Sequence, residues 1–269
     1  MFKQRLLSGI VLVIIAFVTL YFGGFPTFLV VAAVSLSGVF ELLRVIHMER
    51  SALGVIIYTG TILYYILLLL GLDQYVIPLV LFVLIILIAV YVFAFPKFKI
   101  ADVAISYFAL FYVTMMLACI YRIRVLSDGG CLVVLVFLSA WGNDTLAYCA
   151  GRLFGKHKMS PILSPKKTIE GAVGGVIGAG ILGFLYGMFA SHLLSAQYNL
   201  PLAFGGICAV GGLISIIGDL GASAIKRNYE IKDYSQLIPG HGGILDRFDS
   251  IIFTAPIIYY MLTLVVGLK

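Results

Sequence analysis

Long apolar runs recur along this chain at the length needed to cross a bilayer, and the polar residues are gathered into a few short pieces between them. An α-helix needs about 20 apolar residues to span the hydrocarbon core. On that measure the candidate spans are about 6–22, 27–46, 52–70, 75–95, 102–120, 130–150, 170–190, 202–221 and 249–267. The predicted fold is therefore all-α, a polytopic integral membrane protein with about nine transmembrane helices. Composition closes off the soluble alternatives. Asp, Glu, Lys and Arg make up 11% of the 269 residues, against roughly 25% in an ordinary globular domain. The first segment, MFKQRLLSGIVLVIIAF, has the basic start and apolar core of a signal peptide, but no small-residue cleavage site leading into a soluble domain, and reads as a retained span.

Charge placement sets the expected orientation. With the N-terminus cytoplasmic, every Lys and Arg except Arg122, Arg124 and Lys269, out of 18, falls on the cytoplasmic side. That is the positive-inside pattern. The formal charge of +6 is accounted for in the same way, so no nucleic-acid partner is expected. Residues 1–125 read as scaffold helices rich in Leu, Ile, Val and Tyr. Residues 126–269 read as a catalytic region with cytoplasmic loops at 151–169 and 222–248. Glycines at Gly171/Gly175, Gly174/Gly178 and Gly183/Gly187 have the small-xxx-small spacing that brings helix backbones close. The four cysteines lack CxxC spacing and read as small buried hydrophobes.

Acids at membrane depth are costly and are paired, solvated or functional. Asp144 lies inside the sixth span, Asp219 near the end of the eighth, and Asp246 and Asp249 at the start of the ninth. Asp246 and Asp249, three apart, share one helical face. Carboxylates beside hydroxyls such as Ser223 form an oxygen-rich set suited to Mg²⁺ rather than to a soft metal. Asp249 also fits a helix cap or a partner for Arg247, and Asp144 fits a hydrogen-bond hub with Asn143 and Thr145. Glu41 and Glu49, with Arg44 and His47, read as boundary charges. The loops on either side of spans seven and eight carry Arg152, Lys156, His157, Lys158, Lys166 and Lys167, then Lys226, Arg227 and Lys232. Such bases suit a polyanion held on a divalent ion, and equally a platform for anionic lipid. The PGHGG turn exposes backbone N–H groups able to cradle phosphate, with His241 between two glycines.

The piece SAIKRNYEIKDYSQLIPGHGGILDRFDS, with Ser223, Lys226, Arg227, Lys232, Asp233, Pro239, His241, Gly242, Gly243, Asp246, Arg247 and Asp249, resembles the signature of phosphatidate cytidylyltransferases. WGNDTLAYCAGRLFGKHKMSPILSPKKTIEG resembles that family's second common block. The resemblance implies a Mg²⁺-dependent nucleotidyltransferase of the cell inner membrane, a homodimer, converting CTP and phosphatidic acid to CDP-diacylglycerol and pyrophosphate in phospholipid biosynthesis. It also implies contact with membrane lipid and a second, monovalent cation such as K⁺. Asp219, Asp246 and Asp249 carry over as the acidic cluster, with Asp144 nearby.

The expected roles follow. Asp219 and Asp246, with Asp144, hold the metal, and Lys226 and Arg227 bind the lipid phosphate or the leaving group. Lys166 and Lys167 contact nucleotide phosphates, with Ser223, Gly242, Gly243 and Arg247 lining the nucleotide side, and His241 orients phosphate. A cavity opening sideways between the glycine-rich seventh and eighth spans would admit both substrates. A secondary transporter is the rival from another class, since it too uses intramembrane acids and glycine-broken helices. The dense polar signature and the missing inverted repeat count against it. The D-G-x-x-A-R pattern of CDP-alcohol phosphotransferases is absent.

Overall fold

The computed structural model describes residues 18, 21–192, 194, 200–238 and 242–265. Apolar runs this long leave the backbone no partner in lipid except itself, so they close their hydrogen bonds as helices. The elements are α1 (Gly24–Val45), α2 (Ala52–Leu69), α3 (Val76–Phe93), α4 (Ile100–Ala109), α5 (Met116–Arg124), α6 (Gly129–Leu132), α7 (Val134–Phe137), α8 (Asn143–Phe154), α9 (Ile169–Ala190), α10 (Leu200–Asn228) and α11 (Leu245–Tyr260). Wide π turns at Leu110–Met115 and Leu138–Gly142 join α4 to α5 and α7 to α8, and a third, Met261–Val265, continues α11. Seven helical stretches among the described residues are long and apolar enough to cross a membrane. They coincide with the second to eighth predicted spans. The first predicted span lies almost wholly outside the described residues, and the ninth is helical from Leu245 through Val265. The protein is an all-α, multi-pass membrane protein.

The chain divides into two compact units. In the first, residues 25–118 and 233–246, α2 and α3 pack on each other and on α4. Only 22% of an 18-residue window of the Asp73–Phe93 stretch is buried, which leaves most of its apolar side chains for lipid. Thr61 and Thr114 satisfy each other inside this unit at 2.9 Å, as do Ser35 and Tyr65 at 2.6 Å. α1 stops in a left-handed cap: His47 has φ 56°, and the Met48 N–H donates back to the Leu43 carbonyl at 2.9 Å.

The second unit, residues 20–24, 119–232 and 247–269, is built on α8, α9 and α10. Its glycines do what their spacing predicts. A Cβ on Gly171 would stand 2.7 Å from the Ala147 carbonyl of α8, and one on Gly187 would stand 2.8 Å from the Leu200 carbonyl of α10. Gly171/Gly175 and Gly174/Gly178 thus serve α8, and Gly183/Gly187 serves α10. Asn143, fully buried at the start of α8, donates to Ser215 at 2.9 Å, and a Cβ on Gly175 would come within 2.6 Å of its Oδ1. α10 runs past the predicted end at residue 221 to Asn228, because Ala224, Ile225, Lys226 and Arg227 are sound helix formers and the two cations suit a helix C-terminus. It ends as α1 does, with Glu230 at φ 54° and the Ile231 N–H donating to the Lys226 carbonyl at 3.0 Å.

The SPILSPKKT loop is not irregular. Strands β1 (Lys158–Ser160) and β2 (Ser164–Thr168) pair antiparallel, Lys158 opposite Thr168 and Ser160 opposite Ser164.

Candidate active site

The β1–β2 hairpin is tied at its base. The Glu170 carboxylate, in the first turn of α9, accepts from the Lys156 N–H at 3.0 Å and the His157 N–H at 3.2 Å, and meets His157 Nδ1 at 2.6 Å. Thr168 caps the same helix by accepting from the Gly171 N–H at 3.1 Å. Successive strand residues point to opposite faces, so this tie decides the fate of two adjacent lysines. Lys166 is exposed, and Lys167 turns inward to form an ion pair with Asp219 of α10. Both partners keep a quarter of their side-chain surface in contact with solvent.

Around that pair lies the charged cluster of the second unit. Asp144, Asp219 and Asp249 are close enough to feel one another's charge, with Lys167 near Asp144 and Lys226 near Asp249. Ser223, one turn along α10, donates to Asp219 at 3.5 Å, and Ser250 donates to Asp144 at 3.3 Å. Asp249 accepts from the Ser250 N–H at 2.8 Å. A Cβ on Gly218 would stand 2.6 Å from the Asp249 carbonyl, so a glycine is what lets this stretch of α11 lie against α10. With all three carboxylates ionised, two ammonium groups would leave one negative charge uncompensated, which an added cation would relieve.

Asp246 has a different environment within the first unit. Its Oδ2 accepts from the Tyr234 and Gly243 N–H groups, both at 2.9 Å, and the side chain is buried. The next two N–H groups, of Ile244 and Leu245, go to Glu41 of α1 at 2.9 and 2.8 Å. Glu41 also accepts from the Ser235 hydroxyl at 2.5 Å. Glu41 is thus no boundary charge: it is 2% exposed and takes the N–H groups that open α11. The two glycines beside it make room for acids. A Cβ on Gly242, at φ 86°, would stand 2.9 Å from Asp246 Oδ2, and one on Gly243 would stand 2.6 Å from Glu41 Oε1.

A sequence profile of the cytidylyltransferase family matches residues 3–265. The chain belongs to the cytidylyltransferase family. Among its relatives, the phosphatidate cytidylyltransferase of Bacillus subtilis is 30% identical over 275 residues, covering 97% of this chain and 98% of that protein. The phosphatidate cytidylyltransferase of Thermotoga maritima is 36% identical over 173 residues, 64% of this chain and 63% of that one. That of Haemophilus influenzae is 43% identical over 129 residues, 48% and 44% of the two chains.

For a member of this family the donor chemistry is informative. Every side-chain donor in the second unit's cluster is a carboxylate or hydroxyl oxygen, the set a hard cation takes. Among the described residues no three His, Cys, Asp or Glu side chains converge into a closed cage. Mg²⁺ does not need one when substrate phosphates complete its shell, since one or two carboxylates suffice. The residues present fit that ion.

Of the other residues singled out by sequence, Arg227 and Arg247 are exposed, and Lys226 is half-buried on α10. His241 lies outside the described residues. Ser250 and Glu41 were not among the residues marked for the site. For Ser250 a signal existed, a hydroxyl directly after Asp249 in the matching signature. For Glu41 it lay in an acid flanked by Val39, Leu42 and Leu43, all of them buried.

Proposed function

We propose that this chain is a phosphatidate cytidylyltransferase, which joins CTP and phosphatidic acid to give CDP-diacylglycerol and pyrophosphate. The observation that carries this reading is the cluster of Asp144, Asp219 and Asp249 with Lys167 and Lys226, where membrane-spanning helices meet a basic hairpin, in a chain of the cytidylyltransferase family. A phosphate oxygen of the lipid attacks the α-phosphorus of CTP and a new P–O bond forms. The bond from that phosphorus to the β-phosphate bridging oxygen breaks, and pyrophosphate departs with the electron pair. A phosphate monoester is largely ionised near neutral pH, so no strong general base is required. What the reaction needs is alignment and charge neutralisation.

The chain's own groups are assigned accordingly. Asp219 and Asp246 are the proposed Mg²⁺ ligands, with Asp144 and Asp249 as neighbouring acids. When bound, the ion supplies charge neutralisation on the triphosphate. Lys167 leaves Asp219 for the nucleotide phosphates, and Lys166 assists from the same strand. Lys226 and Arg227 hold the lipid phosphate or the departing pyrophosphate. Ser223, Gly242, Gly243 and Arg247 line the nucleotide side, and His241 orients phosphate. The same reading includes about nine spans with a cytoplasmic N-terminus, a cytoplasm-facing site in the cell inner membrane, a homodimer, and a second, monovalent cation such as K⁺.

The test is direct. Purified protein in detergent receives labelled CTP and phosphatidic acid, with and without Mg²⁺. CDP-diacylglycerol and pyrophosphate form in equal amounts only with the metal. Solute movement through liposomes without that product overturns the reading in favour of a transporter.

A further inference from the structure

We infer that Glu41 is a positioning residue for the cytidylyl transfer, acting through residues 234–235 and 243–245 to fix the carboxylate of Asp246. The inference rests on the function proposed above and assigns Glu41 a part in it.

The geometry carries the argument. Three successive backbone N–H groups, of Gly243, Ile244 and Leu245, all point at carboxylates. The first goes to Asp246 itself and the next two go to Glu41, which comes from a helix about 200 residues earlier in the chain. Glu41 also holds the other limb of the segment through the Ser235 hydroxyl, and that hydroxyl in turn accepts from the Leu237 N–H at 3.1 Å. Asp246 makes the matching crossing from its own side, taking the Tyr234 N–H of one limb and the Gly243 N–H of the other. The Ile238 N–H donates to the Gly242 carbonyl at 2.9 Å and bridges the two limbs.

Glu41 and Asp246 therefore grip the same two limbs, one residue apart in register. A helix N-terminus can be capped by its own Ser, Thr, Asp or Asn, and an apolar side chain would fill the space more cheaply than a buried acid. A carboxylate from α1 does something neither alternative does: it fixes both limbs to a scaffold helix, and so fixes the direction of Asp246 Oδ1 and Oδ2.

Glu41→Gln keeps the volume and one acceptor oxygen but turns an NH₂ group toward backbone donors. In detergent we expect it to fold, with kcat lower by about 10-fold to 100-fold, little change in KM for CTP, and a raised Mg²⁺ concentration for half-maximal rate. The second readout needs no substrate: Mg²⁺ raises the thermal midpoint of the native protein, and this increment shrinks in Glu41→Gln. Ser235→Ala, which removes one of the three contacts, shifts both readouts in the same direction by a smaller factor.

Wild-type kcat and Mg²⁺ response in Glu41→Gln would overturn the inference. If Glu41→Gln fails to fold, Ser235→Ala decides: an unchanged Mg²⁺ requirement overturns it. If the native protein makes no CDP-diacylglycerol, the proposed function fails. The Mg²⁺-linked melting of the variants then shows separately whether Glu41 acts on Asp246.

Discussion

The two units of this molecule hold their acids in opposite ways. In the first, Glu41 and Asp246 are satisfied by backbone N–H groups and a serine hydroxyl. In the second, Asp219 is paired with the ammonium group of Lys167, and Asp144 and Asp249 lie near Lys167 and Lys226 respectively. Backbone donors cannot leave, so an acid held by them keeps one direction through a reaction cycle. A lysine on a flexible stem can be drawn to a stronger anion such as a phosphate. Under the proposed function, the first unit would supply an acid that stays put and the second charges that can be redistributed.

The sharpest way to break this contrast is to remove an acid of the second unit. Asp219→Asn releases Lys167 and deletes a proposed ligand, and kcat should fall by about 10²-fold to 10³-fold in the labelled-CTP assay. A variant within about threefold of the native rate would remove Asp219 from the chemistry. Lys167→Met comes next. It leaves three neighbouring acids with one base, and kcat/KM for CTP should drop by about 10²-fold, with more of the loss in KM than for Asp219→Asn. An unchanged KM would mean that Lys167 only neutralises Asp219.

Stability probes the first unit. Gly243→Ala places a methyl group 2.6 Å from Glu41 Oε1 and should destabilise the protein by about 1–3 kcal/mol, seen as a lower thermal midpoint in detergent. Gly221→Ala is its counterpart in the second unit. No atom lies within 4 Å of the added group, and the helix gains about 0.5–1 kcal/mol. Equal shifts in the two variants would dissolve the distinction. The smallest effect is expected from Glu170→Gln, which loosens the base of the hairpin on an exposed surface. Activity should fall by less than about fivefold, since exposed ion pairs contribute little. A loss as large as that of Lys167→Met would mean that the hairpin, and not the lysine alone, sets the site.

The spans were legible because hydropathy is a local property: seven of the nine predicted segments coincide with helices long enough to cross a membrane. Asp219, Asp246 and Asp249 stand out in the sequence as candidates because an acid in an apolar surrounding is conspicuous and their signature has fixed spacing. Glu41 was obscured by its neighbours. With Arg44, His47 and Glu49 following, it looks like the edge of a loop, whereas α1 continues to Val45 and buries it. No local pattern announces that its partners lie about 200 residues downstream. The hairpin was hidden by two prolines, one of which, Pro165, sits inside β2 of a two-stranded ribbon where every strand is an edge. The π turn at Leu138–Gly142 leaves no compositional trace, yet it ends at Asn143 and so helps set where Asn143 and Asp144 point.

The contact between Glu41 and the far segment also has a history in time. A ribosome adds about 5–20 residues per second. Ser235, the nearest of the Glu41 partners in sequence, follows it by 194 positions and is therefore made roughly 10 to 40 seconds later. For that interval an acid near the end of an early span has none of the three donors that will satisfy it. A chain cut short before residue 235 keeps the acid and never makes these three donors.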